Sequence, residues 1–356
     1  MNTGNLLSTE LHSKNVQVQT SPRPECPTCG TNGQLLYESL IDTIWSAPGS
    51  WNLKRCSQAH CGTLWLDPCP NPKELYKLYL EYYTHGTTPN YPRWFLALFD
   101  DIQRSYLAAH YQYSAEGLGW RRMLALCASF HPGIKAWLDQ SVMHLPAHKG
   151  GRLLDVGCGD GNFLSLMSKL GWSVCGIEPD PVGVQSAVNR GLDVRSGSLQ
   201  NAVFEDDSFD AITLNHVIEH VPDPKAVLSE CRRIVKRDGQ IVVVTPNADS
   251  LLHRKFGRHY LHLDPPRHLQ IFTSASLNSL CQQSGLRVLR SFTSMRNSDA
   301  VYLASRQIRR YGHYEWGHLG GSATRLMAQF IYFPAAIRHF LSPLCGEELV
   351  LVLARD

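Results

Sequence analysis

Charge is scarce in this chain, and neither sign dominates. Asp, Glu, Lys and Arg make up 18% of its 356 residues, and the formal net charge is +3. So weak a bias gives no electrostatic footprint for nucleic acid, whose binders concentrate basic residues on one face. The opening MNTGNLLSTELHSKNVQVQT lacks an apolar core of signal-peptide length, so a cytoplasmic protein in a reducing compartment is expected. No internal repeat is present, and no low-complexity block beyond that polar start. Apolar residues reach 43%, which excludes a disordered, collagenous or coiled-coil chain.

The length suits two domains and an insertion, at roughly 150 residues each. Residues 1–22 read as a flexible tail and 23–70 as a small cysteine-bearing module. A helix is expected from Pro72 to about Tyr83, within a helical linker and cap over 71–148. From residue 149 short apolar runs alternate with helical stretches: strands at 152–156, 173–178, 192–195, 209–214 and 240–245, with helices at 161–170, 181–190 and 224–236. That alternation indicates βαβ units around a buried parallel sheet. A loop (246–270), a helix (274–284), a strand (286–293), a helical insertion (297–344) and a last strand (348–354) follow.

The sharpest motif is Leu153-Leu-Asp155-Val-Gly157-Cys158-Gly159-Asp-Gly161-Asn162. A strand ends in a glycine turn where a helix begins, which lets backbone approach a ligand and leaves helix N–H groups free. A dinucleotide fingerprint would put its third glycine at position 162, where this chain has Asn162. A carboxylate at Asp155 sits badly beside a pyrophosphate and suits a ligand with an ammonium group, such as S-adenosylmethionine. Glu178 ends the next strand, placed to accept from ribose hydroxyls. An acidic turn leads into a strand ending at Asn215-His216, and Asp-Gly239 precedes another apolar strand.

In this order, these motifs resemble the class I S-adenosylmethionine-dependent methyltransferases. Asn215-His-Val-Ile-Glu219-His220-Val-Pro-Asp223-Pro224 and Asp264-Pro-Pro-Arg267-His268 are similar to the branch that methylates ubiquinone precursors and natural products. The resemblance implies a seven-stranded, mostly parallel Rossmann-like α/β sheet whose last strand is antiparallel. It implies that Asp155 and the backbone of Gly157, Cys158, Gly159 and Gly161 hold the methionine portion and Glu178 the ribose. Backbone near Ser198 and Leu199 would meet the adenine, and Asn215 would lie beside the cofactor. Relatives often carry an acid at the adenine position, and Ser198-Leu199 departs from that.

Cys26-Pro-Thr-Cys29-Gly30 is a zinc-knuckle turn, and Cys56-Ser-Gln-Ala-His60-Cys61 supplies a second pair. Cys26, Cys29, Cys56 and Cys61 would close a tetrahedral zinc site, with His60 an alternative to Cys61. Such a metal would stabilise a module too small to fold alone. Ordinary thiols are the alternative. The module carries Arg23, Lys54 and Arg55 against Glu25, Glu38, Asp42 and Asp67, so a structural or protein-contact role is expected over nucleic acid.

Methyl transfer needs alignment, and a base if the acceptor is a hydroxyl or an acidic carbon. His216 and His268 are the candidates, His268 also as a lid contact; His220 reads as packed. The stretch 321–341, with Leu326 to Ile337 its apolar part, is too short and too broken by Pro334 and Arg338 to span a bilayer. It reads as a cap that could touch a membrane surface. The expected function is methylation of a small molecule: a sugar, quinone, lipid precursor or natural product. A cofactor-binding scaffold without catalysis is the second reading, and RNA methylation the third.

Overall fold

A computed structural model of the chain describes residues 17–79, 93–114, 131–315 and 344–356. The first part holds strands β1 (Thr20–Ser21), β2 (Gly33–Leu40), β3 (Trp51–Cys56), β4 (Leu64–Leu66) and β5 (Cys69–Pro70). A 3-10 helix at Pro72–Tyr79 and helices α1 (Arg93–Tyr111) and α2 (Pro132–Ser141) lead into the larger part. There follow β6 (Arg152–Val156), α3 (Asn162–Lys169), β7 (Ser173–Glu178), α4 (Pro181–Asn189), β8 (Val194–Ser196), β9 (Phe209–Asn215), α5 (Pro224–Ile234) and β10 (Val235–Pro246). Next come α6 (Leu251–Phe256), β11 (Gln270–Ile271), α7 (Ser274–Gln283), β12 (Leu286–Ser294), α8 (Ser298–Tyr311) and β13 (Glu348–Arg355).

Among the described residues the main sheet has seven strands, ordered β12-β13-β10-β9-β6-β7-β8. From β8 to β10 neighbours run parallel; β13 lies antiparallel between β10 and β12. This is the architecture the resemblance implies. Ile241 to Val244 and Leu349 to Leu353 are buried on both faces, as β-branched and leucine runs in a helix-covered sheet must be. One face packs on Val227, Leu228, Cys231 and Ile234 of α5 and on Leu277 and Leu280 of α7. The other packs on Tyr106 and Leu107 of α1 and Leu138 of α2. Proline in the first turn and an aspartate cap start α4 and α5: Asp180 accepts from the Val182 amide and Asp223 from the Ala226 amide.

The cysteine-bearing segment is built into the rest. Its antiparallel sheet, β11-β4-β3-β2, takes β11 from the far side of the chain, Gln270 facing Trp65 and Ile271 facing Leu64. Leu53, Leu64 and Leu66 share one apolar core with Leu252, Phe256, Leu269 and Ile271. The stretch expected as a loop (246–270) therefore holds α6, two 3-10 turns and the start of β11, because its apolar residues cover this second sheet. The tail is held at its end: Thr20 faces Pro70 and Ser21 faces Cys69.

Residues 1–16 of the tail, 80–92 and 115–130 of the expected cap, which include the end of the helix expected to about Tyr83, and 316–343 lie outside the described residues. The last include the 321–341 stretch read as a membrane-surface contact. No helix among the described residues is long and apolar enough to cross a membrane.

Candidate functional site

Asp155 and Thr213 are register partners on β6 and β9, and the Thr213 hydroxyl donates to Asp155 Oδ1 at 2.6 Å. Burial, opposed by that bond and aided by the nearby Glu178 charge, pushes the Asp155 carboxyl up to about 7. A buried carboxylate with one hydrogen-bonded oxygen has lone pairs left for a cation. The glycine turn runs on from it. Gly157 has φ +71°, and a Cβ there would stand 2.6 Å from Val217 Cγ2, so the turn lies against the segment that follows β9. At Gly159 a Cβ would point into open space.

The turn's amides are not the free donors expected. Gly157 and Cys158 N–H both donate to the Ile177 carbonyl, and Gly161 N–H to the Cys158 carbonyl. Gly159 N–H donates to Glu178 Oε2 at 2.8 Å, and Asp180 N–H to Oε1 at 2.8 Å. Glu178 thus ties the turn to the end of β7. Cys158 is buried, its sulfur 2.6 Å from where a Cβ on Gly176 would stand, and it has a packing role. Ser198 is exposed at a turn, and Leu199 is in the core. Of the two, only the Leu199 side chain is withdrawn into the core.

The carboxyl end of the sheet carries a second group of polar side chains. Asn215 Oδ1 accepts from Gln140 Nε2 at 3.0 Å. His216, at φ +55°, holds its ring between two acids: Nδ1 is 3.1 Å from Glu219 Oε1 and Nε2 is 3.1 Å from Glu348 Oε1. Against burial, these two carboxylates raise the imidazole to about 9. Glu219 is correspondingly lowered to about 2 and takes a further bond from Thr245 Oγ1 at 2.9 Å. Both ring nitrogens of His216 therefore face carboxylates, and the raised value favours the protonated ring, which speaks against its reading as a base.

His268, the other candidate base, lies inside the fold. Its Nδ1 donates to the His262 carbonyl at 2.7 Å, its ring packs edge-on against His220 at 4.6 Å, and it is buried. It stiffens the 262–268 turn and has no lid-like exposure. His220 is packed as expected, with Nδ1 3.1 Å from Tyr79 Oη and 3.1 Å from the Arg267 carbonyl. Beside it Arg267 is fully buried, making a bidentate pair with Asp42 at 2.7 and 2.9 Å and a second pair with Asp264.

In the first sheet, the sulfurs of Cys26, Cys29, Cys56 and Cys61 all lie within 4.8 Å of one another. Cys26 Sγ is 3.7 Å from Cys61 Sγ, and Cys29 Sγ is 3.4 Å from Cys56 Sγ. His60 is exposed and outside this group, so the alternative with His60 in place of Cys61 falls. Four converging sulfurs from two knuckles fit the donor set that structural zinc takes.

Sequence reading missed Thr213, Gln140 and Glu348. Thr213 and Glu348 did leave a signal: each is a polar residue beside an apolar run within its strand. Gln140 left none, since its partner is 75 residues away.

A family model described as a methyltransferase domain matches residues 134–291. The ubiquinone biosynthesis O-methyltransferase of Xanthomonas oryzae pv. oryzae is 39% identical over 105 residues, 28% of this chain and 44% of that protein. The enzyme of the same name from Paracidovorax citrulli is 30% identical over 169 residues, 44% of this chain and 69% of its own length. A solved methyltransferase from Archaeoglobus fulgidus is 18% identical with a TM-score of 0.43, covering 65% of this chain and 99% of that one. The chain thus spans under half the length of the Xanthomonas relative.

Proposed function

Because the chain belongs to the class I S-adenosylmethionine-dependent methyltransferases, we propose that it methylates a hydroxyl oxygen of a small molecule. The observation that carries this is Asp155, a buried carboxylate short of partners at the mouth of a glycine turn that opens at Gly159. An ammonium group would neutralise it, and open space at Gly159 admits close backbone approach. When bound, the cofactor supplies a methyl group already activated on a sulfonium. Asp155 then binds the amino group, Glu178 accepts from the ribose hydroxyls, and Asn215, held by Gln140, sits at the end of β9 beside the reacting centre. The protein's main contribution is alignment. The oxygen acceptor comes from the relatives' printed activity.

The four cysteines support a structural zinc that closes the first sheet. Purified protein should carry about one zinc per chain, and Cys26→Ser should lose it. Metal-free protein with unchanged thermal stability would contradict that role.

The function is tested by S-adenosylhomocysteine release over a panel of small hydroxyl compounds, with bulk RNA as a control. Turnover with a hydroxyl compound and none with RNA is expected. Turnover with RNA alone would overturn the small-molecule reading, and cofactor binding with no turnover on any acceptor would leave a scaffold.

A further inference from the structure

Leu269-Gln270-Ile271-Phe272 is an apolar run with one glutamine in it, and all four residues are buried. Neighbouring residues of a strand point to opposite faces. Ile271 accordingly enters the core shared with β3 and β4, while the Gln270 side chain turns the other way, to the segment that follows β9. Its Nε2 donates to the Ile218 carbonyl at 3.2 Å and to the Val221 carbonyl at 2.7 Å. Its Oε1 accepts from Arg23 Nη1 at 3.2 Å, and Arg23 Nη2 reaches the Pro222 carbonyl at 3.4 Å. The Leu269 and Gln270 amides both donate to the Glu219 carbonyl, at 2.9 and 3.3 Å. A buried side-chain amide is costly unless it is hydrogen-bonded, and this one is bonded at both its nitrogen and its oxygen.

In the other direction β11 leads to the cysteines. Gln270 pairs with Trp65 of β4, and the Leu66 amide donates to the Leu269 carbonyl at 3.1 Å. Trp65 is fully buried and packs with Cys26, Cys56 and Cys61, and its Nε1 donates to the Arg23 carbonyl at 2.8 Å. Thr273, which caps α7 by accepting from the Ser276 amide, donates its hydroxyl to the Cys61 carbonyl at 2.6 Å. At the far end Val217 Cγ2 fills the space beside Gly157, 2.6 Å from where a Cβ would stand. An unbroken series of contacts thus runs from the four sulfurs through Trp65 and Gln270 to the segment after β9, and on to the glycine turn. β4 has three residues and β11 two, too few to hold their register without what clamps their ends.

We propose that Gln270 is a positioning residue that links metal at the four cysteines to the cofactor seat: zinc on the sulfurs raises the affinity for S-adenosylmethionine, and the cofactor raises the affinity for zinc by the same factor. The inference rests on the proposed methyl transfer and on the structural zinc. With Cys26, Cys29, Cys56 and Cys61 on one metal, both knuckles are fixed, and with them Trp65 and the Cys61 carbonyl. Gln270 then holds the Ile218 and Val221 carbonyls in place, and Val217 supports the glycine turn at Gly157. Without the metal the four thiols share no partner, β4 and β11 loosen, and the 217–222 segment loses its outer support. Reciprocity follows by thermodynamic necessity once one site changes the other.

The zinc-loaded full chain is titrated with S-adenosylmethionine by calorimetry, before and after a chelator removes the metal. Affinity should fall about 5–150-fold on removal, the usual range for linked sites. Gln270→Met keeps the volume and the β11 pairing but removes the side-chain bonds to Ile218, Val221 and Arg23. It should retain its zinc and bind S-adenosylmethionine about tenfold more weakly, and removing its metal should add little. The share of zinc taken at equilibrium by a competing colorimetric chelator should fall when S-adenosylmethionine is added to the parent, and stay constant in Gln270→Met. Tyr37→Phe removes a bond between the same two parts that lies off this path, Tyr37 Oη to His253 Nε2 at 3.0 Å, and should leave the affinity unchanged. Equal affinity in the loaded and the metal-free parent overturns the proposal. Where the metal-free chain loses its fold by circular dichroism, the loaded proteins decide. Gln270→Met binding as tightly as the parent, or Tyr37→Phe binding as weakly as Gln270→Met, overturns it. A parent that binds no cofactor contradicts the methyl-transfer reading, one that holds no metal contradicts the structural zinc, and the proposal falls with either.

Discussion

The cofactor side of the cleft takes Asp155, the glycine turn and Glu178 from one βαβ unit, and adds Thr213 from the adjoining strand. The polar cluster at the carboxyl end of the sheet takes Gln140 from the segment before the sheet, His216 and Glu219 from the turn after β9, and Glu348 from the other end of the chain. The first draws its motif from one short stretch, with Thr213 brought in by strand pairing. The second needs both ends of the main sheet, since His216 pairs with Glu348 as well as with nearby Glu219. A cofactor common to many reactions permits a fixed local motif, whereas an acceptor pocket can vary through its contributing segments without disturbing that motif.

This contrast breaks most visibly at Arg267, which joins the carboxyl end of the sheet to the cysteine-bearing segment. Arg267→Met removes a buried cation and strands Asp42 and Asp264. Loss of about 3–5 kcal/mol of stability is expected in urea unfolding. A loss under about 1 kcal/mol would put the pair in the class of surface ion pairs and uncouple the two sheets.

Next in size is His216→Gln, which leaves Glu219 and Glu348 with a neutral partner. A loss of about 1.5–3 kcal/mol is expected at pH 7, the size of hydrogen bonds to charged groups. The sign follows from linkage: His216 is raised from 6.5 to about 9 on folding. Its stabilisation is fully present below pH 6.5 and is lost as pH rises through about 9. The gap between parent and variant should therefore narrow above pH 9. A gap that does not depend on pH would contradict the doubly bonded cation.

Asp155→Asn is expected to weaken cofactor binding about 10–100-fold, or 1.4–2.8 kcal/mol. His216→Gln should leave that affinity unchanged. Equal effects from the two would erase the division between the halves. The smallest effect is on pH dependence. Burial raises Asp155 to about 7, so a cationic ligand must draw the ionised form. Affinity should fall as pH drops from 7.5 to 6, by at most about tenfold per unit, with a proton released on binding at pH 7. Calorimetry in buffers of different ionisation enthalpy reads that proton.

The same division sets what was legible in the sequence. The strands from 152 to 246, Asp155 and Glu178 could be read because apolar runs, glycines and acids at strand ends carry their meaning within a few residues. The cysteine set was legible as two knuckles, although not the choice of Cys61 over His60, which depends on how β3 and β4 turn. His216 was legible as a residue at the right place but not in its role. Its charge depends on Glu348, 132 residues away, and no local pattern pairs them.

The central claim is that the Asp155 turn is a seat for S-adenosylmethionine, and titration calorimetry on the full chain tests it most directly. One cofactor should bind per chain, binding should be abolished or greatly weakened in Asp155→Ala with the fold intact by circular dichroism, and NAD should give no heat. Binding of NAD in place of S-adenosylmethionine, or an Asp155→Ala variant that binds S-adenosylmethionine as tightly as the parent, would contradict it.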